Sequence, residues 1–331
     1  MVLAAGLGTR LRPITYTMPK PMVPVLNRPV MEHILRLLAR HGFEQTIANL
    51  HWFPELIEAH FGDGSGCGVE LTYSHERELL GTSGGVRNAA DFLGDSFLVI
   101  SGDALTDIDL GAMREFHDSH DGIATLATRR VEDTSQFGVA ITGADGRIQG
   151  FQEKPEPAEA LSDLANCGIY MFRSEIFDFF PQPDASSAAG PGDPPGFADW
   201  AMDVFPRLLE GDVPFYAHEI GAYWNDIGNL EELRSGNLDA LSGAVAVERE
   251  GEVVDGFRSG AAGADEGPLQ GPVLLGPGVE IGEDVRIDGP AVIGDGVRIG
   301  AGSRLREVIL LPGAEVAAGS VLIGAIAGAQ R

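Results

Sequence analysis

Lysine stands at just two positions in this 331-residue chain, the other 21 of its 23 basic residues being arginine. Lys20 lies in Pro19-Lys20-Pro21-Met22 and Lys154 in Gln152-Glu153-Lys154-Pro155, both segments stiffened by proline. A compact ammonium acts toward phosphate oxygens as a point charge rather than as a planar fork. Two lysines kept in an arginine background therefore mark candidate phosphate contacts. Upstream of Lys20 runs Leu3-Ala4-Ala5-Gly6-Leu7-Gly8-Thr9-Arg10-Leu11-Arg12-Pro13. The backbone N–H groups of such a glycine loop can approach an anion closely, with Thr9 and two arginines alongside. The loop lacks the GxxxxGK[ST] spacing of a P-loop, and Leu11 takes the third glycine position of a dinucleotide fingerprint. Asp103 follows Phe97-Leu98-Val99-Ile100-Ser101-Gly102, an acid at the carboxyl end of a buried strand, where open α/β sheets gather ligands. An ordinary turn or N-cap aspartate is the alternative reading of that position.

Positioning these groups calls for a scaffold of alternating strands and helices. Over the first 240 residues short apolar runs alternate with amphipathic stretches, the α/β pattern. Val2–Ala5 reads as a buried strand. Pro29–Gly42 carries Val30, Ile34, Leu37 and Leu38 at helical spacing, with Gly42 as a stop. Gln45–Leu50, Val69–Ser74 and Phe97–Ile100 read as further strands. Asp184–Pro195 is low in complexity and reads as a mobile loop, and 244–271, rich in Gly, Ala and acids, as a linker. The expected organisation is a catalytic domain over 1–243, a transition segment over 244–271 and a repeat domain over 272–331.

That last domain has a six-residue period from Leu274. Its second position is aliphatic at Leu275, Ile281, Ile287, Ile293, Ile299, Leu305, Leu311 and Ile323, with Ala317 between, and glycine recurs at the third. Nine units fill three coils of a triangular β-solenoid. The pattern weakens around Arg304–Ile309 and Val316–Val321, where a bulge or a register shift is expected.

Composition narrows the function classes. A net charge of −26 argues against nucleic-acid and anionic-membrane partners, which it would repel. Anion binding must then rest on a few local cations and a divalent metal. No apolar run approaches the length of a membrane span. The start has no basic n-region and does not read as a signal peptide. Cys67 and Cys167 form no CxxC pattern and read as reduced thiols of a cytoplasmic protein. The eight histidines need no role.

Taken in order, LAAGLGTRLRP, PKPMVPV, LLGTSGGVRNA, SGD, FGV, QEKP, NCGIY and WNDIG, followed by hexapeptides, closely resemble the sugar-nucleotide pyrophosphorylases. These nucleotidyltransferases join a sugar 1-phosphate to an NTP, and the likeness is strongest to the bacterial mannose-1-phosphate guanylyltransferases. The resemblance implies a Rossmann-like domain with a mixed central sheet, followed by a short left-handed parallel β-helix. It implies a nucleotide site of Ala4, Ala5, Gly6, Gly8, Thr9, Arg10, Lys20, Glu76, Gly81 and Thr82, with Arg10 and Lys20 on the triphosphate. It places Mg²⁺ on Asp103 and Asp226, and the sugar phosphate on Gly138, Glu153, Lys154, Asn166 and Gly168. Arg10, Lys20, Asp103 and Lys154 are the catalytic set. Relatives usually carry a few residues before the first strand, so either the start codon lies upstream of Met1 or this strand is short.

The implied reaction needs no general base. An ionised sugar-phosphate oxygen attacks the α-phosphorus in line and pyrophosphate leaves, so catalysis is positioning plus charge neutralisation. Uridylyl and thymidylyl relatives place glutamine at the position of Glu76. A carboxylate only accepts hydrogen bonds, which favours guanine with its N1–H and 2-amino donors over uracil. The expected substrates are GTP and mannose 1-phosphate, with UTP or dTTP and glucose 1-phosphate as runner-up. A non-catalytic regulatory subunit is a weaker alternative, because such relatives lose the signature Arg, Lys or aspartates that this chain keeps. Acyl transfer by the β-helix is weaker too, since no histidine follows His218; the helix is expected to support a homo-oligomer. Alanine at Lys20 or at Asp103 is expected to abolish nucleotidyl transfer while the circular dichroism spectrum stays native. Wild-type rates in either variant would sink the assignment.

Overall fold

The computed structural model describes residues 1–181, 194–249, 251–254 and 269–328. Most of the low-complexity stretch at Asp184–Pro195, and 255–268 of the expected linker, fall outside the described residues. In the first unit nine strands form one mixed sheet: β1 (Val2–Leu3), β2 (Gln45–Leu50), β3 (Glu70–His75), β4 (Ser96–Ser101), β5 (Ala124–Arg130), β6 (Gly138–Thr142), β7 (Ile148–Glu153), β8 (Leu164–Arg173) and β9 (Phe215–Glu219). Their order is β7-β6-β8-β4-β1-β2-β3, with β5 pairing β8 and β9 off that path. β1 lies between β4 and β2 and is parallel to both. β8 runs antiparallel to its neighbours β4 and β5. Parallel strands covered on both faces read as unbroken apolar runs, as Phe97–Ile100 does.

Helices cover both faces. α1 (Val30–Arg40), α2 (Pro54–Phe61) and α4 (Leu110–Asp118) pack on one side through Ile34, Leu38, Ile57, Leu110 and Met113. α3 (Gly81–Asn88) and α5 (Phe205–Glu210) lie over the other, whose core is aromatic: Tyr170, Phe172, Trp200, Phe205 and Phe215. The Phe172 and Trp200 rings stack with centroids 4.5 Å apart. No helix among the described residues is long and apolar enough to cross a membrane. Cys67 and Cys167 are both free thiols.

The second unit is a three-faced stack of parallel strands, consistent with a left-handed β-helix. Val273–Leu275, Ala291–Ile293, Ile309–Leu310 and Ile326–Ala327 line one face; the second carries four strands from Leu269–Gln270 to Val321–Ile323, and the third has three. The segment expected as a linker supplies two of these strands, for Leu269–Gln270 opens the second face and Glu252–Val254 pairs antiparallel with Val273–Leu275. An 18-residue coil pairs Arg286 with Arg304, but Val292 pairs with Ile309 and Arg304 with Val321, one residue short. The turn at Arg306–Val308 is where the residue is lost, with Glu307 at φ 53°. Because strand side chains alternate, a one-residue slip exchanges inside and outside. The aliphatic second position therefore fails from Leu311 onward: Leu310 and Val316 join the solenoid interior, Leu311 turns outward into the core shared with the catalytic domain, and Ile323 is 67% exposed.

A shared core joins the units. α6 (Leu230–Ser242) and the Pro24–Val25/Arg28–Pro29 hairpin pack with Leu274, Val292, Ile309 and Leu311 of the solenoid. Asn237, fully buried, donates to the Pro24 carbonyl and accepts from Leu26 N–H. Asn27 Nδ2 donates to the Ile293 carbonyl at 3.1 Å, and Arg234 pairs with Glu307 at 3.0 Å. Leu274→Ala is expected to cost about 2–5 kcal/mol in urea unfolding and to move one transition of the whole chain. An unshifted catalytic-domain transition would mean that the units unfold independently.

Candidate active site

β1 ends between the carboxyl ends of β2 and β4, where Leu3 is level with Asn49 and Ser101. The chain then leaves the sheet as a loop and a single 3₁₀ turn, Thr9–Leu11, held down by fully buried Leu11. Gly8 adopts φ 61°, and a Cβ there would come within 2.9 Å of Lys20 Cβ, so the loop closes on the Lys20 segment only with glycine. A Cβ at Gly6 would meet nothing within 4 Å; that side of the loop is open. It borders a cavity of about 280 Å³ lined by Ala4, Ala5, Gly6, Lys20 and Asp103 on one side and Glu76, Gly81 and Thr82 on another.

Lys20 and Asp103 form an ion pair inside this wall, their side chains 12% and 18% exposed. Ser101 Oγ donates to Asp103 Oδ1 at 2.6 Å and fixes the carboxylate. Asp226 reaches the same place from the far end of the catalytic domain. Its preceding residues, Trp224–Asn225, pair antiparallel with Leu105–Thr106, just beyond Asp103. Gly228 N–H donates to Asp226 Oδ1, and Arg10 Nη2 lies 4.0 Å from Oδ2. Burial, and next the Asp103 charge, push the Asp226 carboxyl above the ordinary range, while Lys20 and Arg10 pull it down. Two carboxylates within electrostatic reach of each other, with lysine and arginine beside them, are a donor set suited to a hard cation whose shell phosphate oxygens complete.

The expected sugar-phosphate residues lie outside the wall of that cavity, along β6–β8. Gly138 is level with Glu153, and a Cβ at 138 would stand 2.9 Å from Glu153 Oε2. Lys154 sits at φ 46° and its ammonium is 2.7 Å from Glu153 Oε1, both side chains partly exposed. Gly168, at φ 68°, lies in the irregular stretch of β8 against the Ser101 side chain, which links this ridge to Asp103. Asn166 is not a free amide: Nδ2 donates to the Tyr170 hydroxyl and Oδ1 accepts from Gly168 N–H.

Two nucleotide-side expectations change. The Thr82 hydroxyl donates to Asp199 Oδ2 and accepts from Trp200 N–H, which leaves the backbone at 81–82 to face a ligand. Gly81 holds that backbone at φ 75°, where a Cβ would strike the Ala198 carbonyl at 2.5 Å. Glu76, read from sequence as an acceptor free for a base, is buried at 6% and already accepts from Asn49 Nδ2 at 2.7 Å and from Leu80 N–H at 3.0 Å. Asn49, absent from the sequence-derived set, lines the cavity and also accepts from Ala4 N–H at 2.8 Å. Its signal was a polar residue inside the apolar run Thr46-Ile47-Ala48-Asn49-Leu50. Leu79 and Phe197 also line the wall, with no sequence signal of their own.

Residues 1–243 match the nucleotidyl transferase family model, and 272–307 match the bacterial transferase hexapeptide model of six repeats. The chain belongs to the nucleotidyl transferase family. It is 39% identical over 306 residues to a UTP–glucose-1-phosphate uridylyltransferase of Synechocystis, covering 87% of this chain and 76% of that protein. A mannose-1-phosphate guanylyltransferase of Mycobacterium tuberculosis is 35% identical over 295 residues, 87% of this chain and 77% of that protein. Among solved structures, a Bacillus anthracis protein described as a glucose-1-phosphate thymidylyltransferase superposes with a TM-score of 0.64 at 25% identity, over 75% of this chain and 96% of the other.

The raised Asp226 carboxyl carries a stability consequence. Its ionisation costs the folded state free energy, a cost fully present above the folded pKa and gone below the unfolded value of about 4. Asp226→Asn removes that charge and keeps an acceptor for Gly228. It is expected to raise the melting temperature at pH 7 while turnover is lost, with the gain vanishing below about pH 4. A lower melting temperature at neutral pH would refute the assigned strain.

Proposed function

We propose that this protein transfers a nucleotidyl group from an NTP to a sugar 1-phosphate, releasing pyrophosphate and a nucleotide sugar. What carries the reading is the convergence of Lys20, Asp103 and Asp226 beside a cavity bordered by an open glycine loop. Gly6, Gly8 and Thr9 present backbone donors to the phosphates. Lys20 has three N–H donors; with one held by Asp103, two remain for phosphate oxygens. Arg10 faces the leaving pyrophosphate. Glu153 and Lys154, with Gly138, Asn166 and Gly168, orient the sugar phosphate so that its ionised oxygen forms the new bond to the α-phosphorus as the bond to the β-phosphate oxygen breaks. No proton needs to move. Asp103 and Asp226 would hold Mg²⁺, which supplies charge neutralisation at the α-phosphate.

For the substrate pair, GTP and mannose 1-phosphate is the first reading. It is supported by relatives named mannose-1-phosphate guanylyltransferase, among them the catalytic subunit beta of Danio rerio, 31% identical over 99% of this chain. UTP and glucose 1-phosphate is the second, favoured by the 39% identity to the Synechocystis uridylyltransferase. Glu76 is not the free acceptor that would favour guanine, since each of its oxygens already accepts from a donor of the protein.

Pyrophosphate release with Mg²⁺, crossing GTP, UTP, dTTP and ATP against mannose and glucose 1-phosphates, is expected to show one strongly preferred pair, GTP with mannose 1-phosphate. A UTP–glucose preference would keep the reaction and replace the substrates. Silence in every combination would refute the reaction.

A further inference from the structure

Asn49 and Glu76 stand between two backbone donors beside the nucleotide cavity. One is Ala4 N–H, at the start of the signature loop; the other is Leu80 N–H, immediately before Gly81 and the start of α3. Three hydrogen bonds join them: Ala4 N–H to Asn49 Oδ1, Asn49 Nδ2 to Glu76 Oε1, and Leu80 N–H to Glu76 Oε2. Both side chains are buried, at 2% and 6% exposure. α3 closes over them through Gly85, where a Cβ would come within 2.6 Å of Asn49 Nδ2 and 2.7 Å of Glu76 Oε1.

The two ends of this chain of bonds are fixed, because a backbone N–H can only donate. Asn49 must therefore turn its oxygen to Ala4, which turns its NH₂ toward residue 76. Residue 76 must then accept twice, once from Asn49 and once from Leu80. A carboxylate accepts at both oxygens. A glutamine offers one oxygen and one NH₂, so it would set donor against donor either at Asn49 or at Leu80. Flipping Asn49 moves the same conflict to Ala4. Between two fixed donors, three bonds close only with one amide and one carboxylate, in either order.

We propose that Asn49 and Glu76 are a positioning pair, and that the glutamate is required by the two wall donors rather than by the base. Glu76 acts through the protein: it ties the Leu80–Gly81 backbone, by way of Asn49, to the strand end that carries the phosphate loop. The nucleotide is then selected by groups other than the Glu76 carboxylate. This rests on the cavity being the nucleotide site, as proposed above.

Exchanging the two functional groups tests it. Glu76→Gln alone places two donors face to face, and Asn49→Asp alone places two carboxylates face to face. The double variant N49D/E76Q restores all three bonds. Its carboxylate at position 49 would accept from Ala4 N–H and from the amide NH₂ at position 76, whose oxygen would accept from Leu80 N–H. Each single variant is expected to lower the melting temperature. Glu76→Gln is expected to raise the nucleotide KM by about tenfold or more, the scale of one buried unpaired donor, with the same factor for the favoured nucleotide and the next best. The double variant is expected to recover most of both losses. If the singles are insoluble, a soluble, folded double variant is the same rescue. A double variant no better than the worse single would overturn the proposal. So would a shift of about tenfold in nucleotide preference from Glu76→Gln alone, the signature of a direct base contact. If the wild type turns over no NTP at all, the proposed function fails, and recovery of the melting temperature still decides the pairing.

Discussion

Asp103 and Asp226 repel each other, and much of the catalytic domain is arranged to hold them together. The chain brings them close through a ladder of only two residue pairs, Leu105–Thr106 against Trp224–Asn225. Glycine makes the approach possible. A Cβ at Gly102 would strike the Leu3 carbonyl at 2.6 Å, and one at Gly228 would lie 2.9 Å from the Asp226 carboxylate. Ser101 fixes one acid and Gly228 N–H the other. Lys20 and Arg10 then offset the charge. Charge arrangements built for a transition state commonly carry such strain.

Behind the two acids lies the core that binds the solenoid to the catalytic domain. Leu11 follows Arg10, Leu105 lies two residues beyond Asp103, and Ile227 follows Asp226. All three are fully buried and share one cluster with Leu274, Val292 and Ile309 of the β-helix. Ile227 holds φ 41°, a costly conformation for a β-branched residue. Its side chain is locked in that cluster, and the bend follows directly on Asp226. The solenoid is thus part of the foundation of the site, its packing continuous with the side chains next to Arg10, Asp103 and Asp226.

Much of this was legible from residue types alone. The glycine loop, the scarce lysine at position 20 and the strand-terminal Asp103 do meet at one place, because strand ends in a parallel sheet gather by topology. The six-residue period announced the solenoid, and its weakening near Arg304–Ile309 marked the register slip. Three things could not be read. Whether a residue is lost depends on the length of a single turn, and it decides whether Leu322 or Ile323 faces inward. The commitment of Thr82 to Asp199 and Trp200, 117 and 118 residues away, is a long-range hydrogen-bond pattern with no local signal. Glu76 read as a free acceptor for a base, since nothing local announces that Asn49, 27 residues earlier, already donates to it.

A chain of net charge −26 is a poor host for a polyanionic substrate, and its electrostatics bear on the proposed reaction. Distant surface acids matter little, since exposed charges are screened beyond about 8–10 Å at physiological salt. The local balance matters more. Lys20 is paired with Asp103, Arg10 lies beside Asp226, and Lys154 is bound to Glu153, so each cation of the site is matched by an acid. With Glu76 also a carboxylate in the cavity wall, the protein's own groups carry no surplus of positive charge where a triphosphate would have to bind. In the proposed reaction, a site with no positive surplus and with Asp103 beside Asp226 would favour a nucleotide that arrives with its positive charge already attached. The bare anion would be disfavoured there, because Asp103 and Asp226 would repel phosphate unless a cation stood between them.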